Sequence, residues 1–351
     1  LISKKKNDEA HNIASKINPL ISSLLVAQTK ELINKESFNF IEEIFSCKNS
    51  NDLISEFLFI ISNLYSSEGY LNKSNFYFNL SEYLNPKFEF NLSLLAENYF
   101  QQEEFDKVKK VLKNFNKENE VYYWYRIKKK AEIINKENNI EESFNYIESE
   151  FDKIQNPSLK TIYDMANITK GFEKYDLSIK FYSQLLLELD PKSKIYADIL
   201  YRRGASYERL GNNEKSDEDM LKSLEIIPDQ PRVLNYLAYS WLERNYKINK
   251  AIKMLENAYE QRKNDPYIID SIGWAYYLIG DYIEAEKLLR KAIQIMPNDP
   301  IVNDHYGDIL WKLGRKIEAG YYWKNVLTLK DAEKELKEAI YIKLLKGPKK
   351  V

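Results

Sequence analysis

The chain has 351 residues, of which 30% are charged, and its net charge is −1. A nucleic-acid-binding protein would normally carry a basic surplus, so this balance argues against that class. Ten glycines and ten prolines are too few for a β-rich or linker-rich chain, and no apolar run is long enough for a membrane-spanning helix.

The first 19 residues form a polar segment, and residues 1–10 are predicted to be frayed. From residue 20 onward, apolar residues recur at i, i+3 and i+4, which predicts a succession of helices. Pro19 stands where the first turn of a helix tolerates proline. The first two helices are predicted near residues 20–34 and 37–48.

Four helical pairs follow, in which small residues recur about every 34 residues. The clearest is 55–88. If its first residue is counted as offset 1, Ser62, Ser74 and Ser81 fall at offsets 8, 20 and 27, and Gly69 at offset 15. The next three units, 89–122, 124–157 and 159–192, keep part of the pattern through Ala96, Val108, Ala131, Ser143, Ala166 and Ser178.

The pattern is strongest in the four units 197–230, 231–265, 266–299 and 300–333. Small residues recur at offsets 8, 20 and 27, because two antiparallel helices approach closely only where side chains are small. A glycine at offset 15 supplies the positive φ that ends a helix, and a proline at offset 32 separates consecutive units. This is the pattern of the tetratricopeptide (TPR) repeat, a helix–turn–helix unit. Its residues here include Gly204, Ser216, Ser223, Pro228, Ala238, Ala251, Ala258, Gly273, Gly280, Ala285, Ala292, Pro297, Gly307, Gly314 and Ala319.

The sequence therefore predicts an all-α fold, a right-handed TPR solenoid of about nine helical hairpins. After the last repeat, Leu336, Ile340 and Leu344 share one stripe of a charged segment, which is typical of a helix that caps a terminal repeat. The predicted organisation is a polar segment 1–19, divergent TPR-like hairpins 20–192, well-matched repeats 193–333, and a capping helix and tail 334–351.

The first helix of each strong repeat has a polar and aromatic stripe at offsets 2, 5, 6, 9, 12 and 13. In stacked repeats these stripes line up along the concave side. Aromatic side chains flanked by Asp and Asn suit an extended peptide or a partner helix. The predicted contact residues are Tyr201, Arg202, Asn235, Tyr236, Tyr239, Asp270, Ser271, Trp274, Tyr277, Asp304, His305, Asp308 and Trp311.

Structural roles compete with binding for several of these residues. The aromatic side chains could simply fill the space between helices. Asp270 and Asp304 are predicted in the first turns of their helices, where a carboxylate interacts well with the helix dipole. If they do face a ligand, Asp304 and Asp308 lie one turn apart and favour a basic or polar one.

Catalysis has little support in the sequence. The two histidines, His11 and His305, have no nucleophile at a fixed spacing, and the single cysteine, Cys47, is predicted to be a small buried side chain. The basic run 128–130 is predicted to be a solvated helix face. We therefore expect a protein that is not an enzyme and that binds no metal and no cofactor.

Residues 203–319 contain four segments that go beyond a generic repeat: RGASYERLG (203–211), PDQPRVLNYLAYSWLER (228–244), DPYIIDSIGWAYYLIGDY (265–282) and PNDPIVNDHYGDILWKLGRKIEA (297–319). These segments resemble a family of proteobacterial TPR proteins. The resemblance implies export or lipoprotein signals, and in some members a role as an adaptor that brings substrates to periplasmic carboxy-terminal processing proteases. The chain begins at Leu1 rather than Met, which indicates a fragment and leaves room for a signal or lipid-attachment segment upstream.

The predicted function is that of a protein-binding scaffold or adaptor whose ligand is a peptide or a partner protein. Two alternatives remain open: a module that binds cell-wall glycan, since sugars also stack on aromatic rings, and the regulatory arm of a larger enzyme. The resemblance implies a periplasmic or outer-membrane-attached location, and the alternative is the cytoplasm. No nucleic-acid partner is predicted.

Overall fold

The computed structural model describes residues 2–18, 20–44, 49–117, 119–137 and 139–348, the Ser3 side chain excepted. Within these ranges the chain forms twenty α-helices, one short 3-10 helix and no β-strand. It divides into two compact units between Glu188 and Leu189, called unit 1 and unit 2 here. Pro19 and Cys47, for which the sequence makes predictions, lie outside the described residues.

Unit 1 contains the 3-10 helix, one leading α-helix and five helical hairpins. Its helices are the 3-10 helix Ile2–Lys4, α1 (Asn7–Lys16), α2 (Leu24–Asn34), α3 (Phe38–Ile44), α4 (Ser50–Ser67), α5 (Leu71–Leu84), α6 (Glu89–Gln101), α7 (Phe105–Leu112), α8 (Glu120–Glu137), α9 (Ile140–Phe151), α10 (Leu159–Gly171) and α11 (Tyr175–Glu188).

Unit 2 contains four hairpins and a final single helix, so the described residues form nine hairpins in all. The predicted all-helical repeat fold is confirmed. The helices of unit 2 are α12 (Lys194–Arg209), α13 (Asn213–Ile226), α14 (Pro231–Glu243), α15 (Ile248–Gln261), α16 (Pro266–Leu278), α17 (Tyr282–Ile295), α18 (Pro300–Lys312), α19 (Lys316–Thr328) and α20 (Lys334–Lys346).

The small residues of the repeat lie where the two helices of a hairpin meet. A Cβ atom placed on Gly273 of α16 would come within 2.8 Å of Leu289 Cγ on α17. On α18, Gly307 lies against the indole ring of Trp323 in the same way. The predicted register is confirmed, because the small residues at offsets 8, 20 and 27 are buried. In unit 2 these include Gly204, Ser216, Ser223, Ala238, Ala251, Ala258, Gly273, Ala285, Ala292, Gly307 and Ala319.

Unit 1 uses serine at several of these contacts, and the hydroxyls of Ser62, Ser81 and Ser143 bond across the helix pair. Ser62 Oγ donates to the Ser74 carbonyl at 2.5 Å, and Ser143 Oγ donates to the Ala131 carbonyl at 2.7 Å. All four residues are buried. A buried hydroxyl without a partner would be costly, so these bonds allow serine to stand where the other repeats have glycine or alanine.

Three first helices of unit 2, α14, α16 and α18, begin at prolines, and glycines with positive φ follow α12, α16 and α18. Pro266 and Pro300 occupy the first helical positions of α16 and α18, and the preceding Asp265 and Asp299 accept hydrogen bonds from backbone N–H groups of the first turn. Gly280, which follows α16, has a φ of +84°, as a left-handed helix end requires.

These helix starts correct one expectation. Asp270 and Asp304 were predicted in the first turns of their helices, but α16 begins at Pro266 and α18 at Pro300, so both lie in the second turn. The carboxylates that cap the two helices are Asp265 and Asp299 instead. Asp270 and Asp304 are therefore not explained by the helix dipole.

The start of the chain is more ordered than predicted. Residues 1–10 were expected to be frayed, yet α1 runs from Asn7 to Lys16. Ala10 and Ala14 on one side of α1 are buried against Ile33 of α2 and Phe38 of α3. Two alanines are a weak apolar signal within a polar segment, which is why the composition alone predicted fraying.

The predicted capping helix is α20. Ile340 is fully buried, and Leu336 and Leu344 pack against the continuous core of unit 2. The helix ends at Gly347, whose φ is +78° and whose Cα lies against the Trp311 ring. Besides covering the last hairpin, α20 brings Lys343 to the first-helix side of α18.

We expect Gly273→Leu to lower the free energy of unfolding by about 1–3 kcal/mol or more, because its side chain would collide with Leu289 and Leu288. Urea denaturation of the two proteins measures the difference. The matched control is Gly320→Ala, since the closest atom to an added Cβ there is Leu344 Cδ2 at 4.0 Å. The control should be neutral or stabilising. Equal stability of Gly273→Leu and the parent protein would contradict the assigned register.

Candidate partner-binding site

The thirteen predicted contact residues all lie on the first helices of the hairpins of unit 2, where they form what we call the first-helix stripe. The stripe is more enclosed than the sequence suggested. Half-buried side chains are those of Arg202, Asn235, Tyr236, Tyr239, Trp274 and Trp311. Buried side chains are those of Tyr201, Asp270, Ser271, Tyr277, Asp304, His305 and Asp308.

Three rings from α16 and α18 stack in a column. The Trp274 ring lies parallel to Tyr277, with centroids 4.6 Å apart, and parallel to His305 on its other side, with centroids 4.1 Å apart. Tyr239 of α14 approaches His305 at 6.3 Å. Stacked rings of this kind stabilise the contact between neighbouring hairpins. Two of the predicted aromatic anchors thus also serve the packing of the repeat.

His305 and Asp270 form a buried ion pair. His305 Nδ1 lies 2.9 Å from Asp270 Oδ2. Burial alone would lower the pKa of His305, but the charge and hydrogen bond of Asp270 outweigh it, and the pKa is raised above its usual value. Each of these side chains is therefore satisfied by the other.

Asp304 and Asp308 hold a lysine of the same chain between them. Lys343 Nζ of α20 lies 2.6 Å from Asp304 Oδ1 and 2.9 Å from Asp308 Oδ2. Burial and the charge of Asp304 raise the pKa of Asp308 to about 6, although Lys343 opposes this. The basic group that these carboxylates were predicted to attract in a ligand is supplied here by the capping helix.

Trp311 is also covered by the end of the chain. Its ring lies against the Cα of Gly347, and Lys316 Nζ lies 4.9 Å from the ring centroid. In this structure Trp311 is half-buried and packs within unit 2.

The opposite part of the stripe, on α12 and α14, is built differently. Tyr236 meets Tyr201 edge-on at 5.7 Å, and the Tyr236 hydroxyl donates to Glu208 Oε2 at 3.0 Å. The Arg232 guanidinium lies over the Tyr201 ring at 4.6 Å. This part combines half-buried aromatic surface with charges of both signs, a composition that suits protein interfaces.

Three polar atoms of the stripe have no hydrogen-bond partner among the residues that the structure describes: Asn235 Oδ1, Trp274 Nε1 and Tyr277 OH. They comprise one acceptor, one donor and one hydroxyl that can act as either. Most buried polar groups in proteins have a hydrogen-bond partner. Three unsatisfied polar atoms on the neighbouring helices α14 and α16 therefore distinguish this part of the stripe from the part near α20.

Sequence reasoning missed Lys343, because it counted the charges of α20 as a solvated face. Two carboxylates one turn apart on a buried helix face were the available signal, since they require a nearby cation.

The basic run is a second correction. It was predicted to be solvated, and Lys130 is indeed exposed, but Lys129 is buried and pairs with Glu97 at 2.9 Å. Lys128 pairs with Asp164 at 2.6 Å. Partners from neighbouring hairpins neutralise these lysines, and their contribution is to packing within unit 1.

Within the described ranges, no three His, Cys, Asp or Glu side chains are arranged to hold a metal ion. None of the described helices has both the length and the apolar composition needed to cross a bilayer.

A family model described as tetratricopeptide repeat matches residues 130–332, more than half of the chain. The chain therefore belongs to the tetratricopeptide repeat family. Proteins of this family are in general non-catalytic scaffolds for protein–protein interaction.

Among individual proteins, the chain is 30% identical over 90 residues to the TPR repeat-containing protein PA4667 of Pseudomonas aeruginosa. That match covers 26% of this chain and 15% of the relative, so the chain spans only a small part of the relative's length.

Similar solved structures include TTC0263, a thermophilic TPR protein of Thermus thermophilus, with 18% identity and a TM-score of 0.45, covering 54% of this chain and all of that one. A MamA structure from Desulfovibrio magneticus RS-1 has 16% identity and a TM-score of 0.41, covering 50% of this chain and 97% of that one.

The raised pKa of His305 predicts a pH dependence of stability. A histidine whose pKa is higher in the folded than in the unfolded state stabilises the fold below its unfolded value of 6.5, and this contribution is lost as the pH rises through the folded value. We expect the loss of unfolding free energy in His305→Gln to be largest below pH 6.5 and to become smaller as the pH rises above 6.5. Urea denaturation followed by tryptophan fluorescence measures this.

The control for that series is His11→Gln, since the His11 ring packs edge-on against Phe38 of α3 instead of against a carboxylate. If both variants lost stability along the same pH course, the effect would not be specific to the pairing of His305 with Asp270. If the difference in unfolding free energy between His305→Gln and the parent protein stayed constant across the pH range, the ion pair with Asp270 would be contradicted.

Lys343→Met should lower the free energy of unfolding by about 3 kcal/mol, because Asp304 and Asp308 would stay buried without their counter-ion. Adding Asp304→Asn and Asp308→Asn should recover most of the loss, and thermal denaturation of the single and triple variants tests both. The matched control is Lys334→Met at the exposed start of α20, which should change little. If the added asparagines lowered the free energy of unfolding further, the pairing of Lys343 with Asp304 and Asp308 would not explain the effect of Lys343→Met.

Proposed function

We propose that this chain is a non-catalytic scaffold that binds an extended peptide or a partner segment along the first-helix stripe of unit 2, between α12 and α16. Membership of the tetratricopeptide repeat family supports the general role. The specific site rests on the local chemistry of the stripe and is a proposal.

The observation that carries the site is the set of unsatisfied polar atoms, Asn235 Oδ1, Trp274 Nε1 and Tyr277 OH. A peptide backbone presents alternating N–H and C=O groups and can pair with both the donor and the acceptors. All three atoms are covered by neighbouring side chains, so binding requires rotamer changes in half-buried residues such as Tyr239. Such changes are common at interfaces.

The limits of the site follow from contacts within the chain. Lys343 occupies the carboxylates of Asp304 and Asp308, and Gly347 lies against Trp311. Asp270 is held by His305. We therefore place the partner contacts on the half-buried side chains of the earlier repeats and give the α18 residues a supporting role. The proposed contacts are Arg202, Asn235, Tyr236, Tyr239 and Trp274.

A peptide library displayed on phage, selected against the full chain, provides defined ligands for the test. We expect Trp274→Ala to weaken the selected peptides at least about fivefold, since truncating an interface anchor costs more than about 1 kcal/mol. The matched control is Tyr321→Ala, an aromatic residue that is well exposed on α19, outside the stripe. Its affinities should equal those of the parent protein.

Two outcomes would count against the proposal. If the selected peptides bound Trp274→Ala and the parent protein with equal affinity, the first-helix stripe would not be the binding surface. A selection that yields no peptide, combined with Trp274-dependent binding of cell-wall glycan fragments, would favour the carbohydrate alternative. The envelope location implied by the resemblance stays a prediction, which fractionation of cells that produce the protein would test.

A further inference from the structure

One side of α4 in unit 1 is apolar and exposed to solvent. Phe57 and Leu64 are each 63% exposed, and Leu53 and Ile60 are about half exposed. Their spacing of four, three and four residues places them on one stripe of the helix, as in the seam of a two-helix coiled coil. Ile54 lies beside this stripe and is also half exposed. We call these five side chains the α4 face.

Comparison with the other repeats shows what such positions normally do. Phe57 and Leu64 stand at offsets 3 and 10 of their repeat. In unit 2, the hairpins α14–α15, α16–α17 and α18–α19 each follow another hairpin. In these three hairpins the residues at offsets 3 and 10 are buried between packed helices. These residues are Val233, Ser240, Ile268, Ala275, Val302 and Ile309. Phe57 and Leu64 of the α4 face therefore occupy stacking positions of the repeat but stand exposed.

The hairpin that precedes α4 in the chain does not cover this face, because it is held elsewhere in unit 1. At the end of α3, Asn85 Nδ2 donates to the Ile44 carbonyl at 2.8 Å. Before α2, Lys160 Nζ donates to the Leu20 carbonyl at 3.1 Å, and Leu20 is buried. At the start of α2, Leu24 packs against the central core of the unit.

The size and composition of the α4 face fit a second protein surface. Side chains of this size have about 150–200 Å² of surface each, so the exposed fractions leave on the order of 500 Å² of apolar area on one helix. A standard interface buries about 800 Å² per partner, of which about 60% is apolar. The face thus supplies the apolar part of an interface of ordinary size.

We propose that the α4 face pairs with the same face of a second copy of this chain, so that the protein is a two-fold symmetric dimer. The face is apolar along its whole length and carries the 4–3–4 spacing of a helix–helix seam, so it is complementary to itself. In an antiparallel pair, the two-fold axis lies between Phe57 and Ile60, so that Phe57 of one copy packs beside Ile60 of the other and Leu53 packs beside Leu64. This interface is independent of the first-helix stripe of unit 2.

Light scattering coupled to size-exclusion chromatography of the full chain tests the pairing. The parent protein should have twice the chain mass of 41.6 kDa, and Phe57→Glu/Leu64→Glu should have the mass of one chain. Because both side chains are mostly exposed in a single copy, the circular dichroism of the variant should be unchanged. A monomeric parent protein, or a dimer that survives the double substitution, would overturn the proposal.

The matched control lies on the other helix of the same hairpin. Phe76 and Tyr83 on α5 are 59% and 84% exposed, and Phe76→Glu/Tyr83→Glu should remain dimeric. If Phe76→Glu/Tyr83→Glu also became monomeric, the dimer would depend on exposed apolar surface in general and not on pairing through α4.

A cross-link tests the same contact without disrupting it. In a Cys47→Ser background, Ile60→Cys should form a disulfide between two copies on mild oxidation, because equivalent residues next to a two-fold axis have their Cα atoms within disulfide range. Tyr83→Cys in the same background should not. Absence of the Ile60→Cys cross-link from a protein that is still dimeric would exclude the α4 pairing, and a linked dimer that keeps its circular dichroism would support it.

Discussion

The close approach of two helices at positions with almost no side chain is the constraint on which the rest of this structure depends. At Gly273 and Gly307, neighbouring side chains occupy the space where a Cβ would stand. This proximity fixes the position of each helix relative to its partner, and hence which offsets face the core and which face outward. The stripe on the first helices and the exposed face of α4 both follow from it, since each is a set of offsets that the hairpin contact turns away from its own core.

The repeat register was predictable from the sequence because it depends on small residues at fixed intervals, a signal that one chain carries by itself. Serine preserves the pattern at Ser62 and Ser143, since its hydroxyl bonds to the facing helix. The helix starts were less predictable, and Asp270 and Asp304 were placed one turn too early. The order of α1 was missed because it rests on two alanines, which contribute little to an apolar periodicity.

The candidate site was predictable as a stripe of residue types but not as a set of contacts. Periodicity placed Asp304, His305 and Asp308 on one side of α18. It could not show that Asp270 from the preceding hairpin reaches His305, or that Lys343 reaches both aspartates from α20. These pairings join residues 35 to 39 positions apart, and the stacking of layers, rather than local sequence, brings them together. The half-buried residues of α12 to α16 therefore remain the proposed contacts for a partner.

The position of Lys343 near the end of α20 has a consequence for the terminus itself. Helix ends fray more readily than helix centres, and opening the last turn of α20 would withdraw an ammonium group from two enclosed acids. Protonation of Asp308, whose pKa is already raised to about 6, would relieve the resulting repulsion. The order of the final turn is thus linked to proton uptake on a different helix, and mild acidity would make it easier for the terminus to detach.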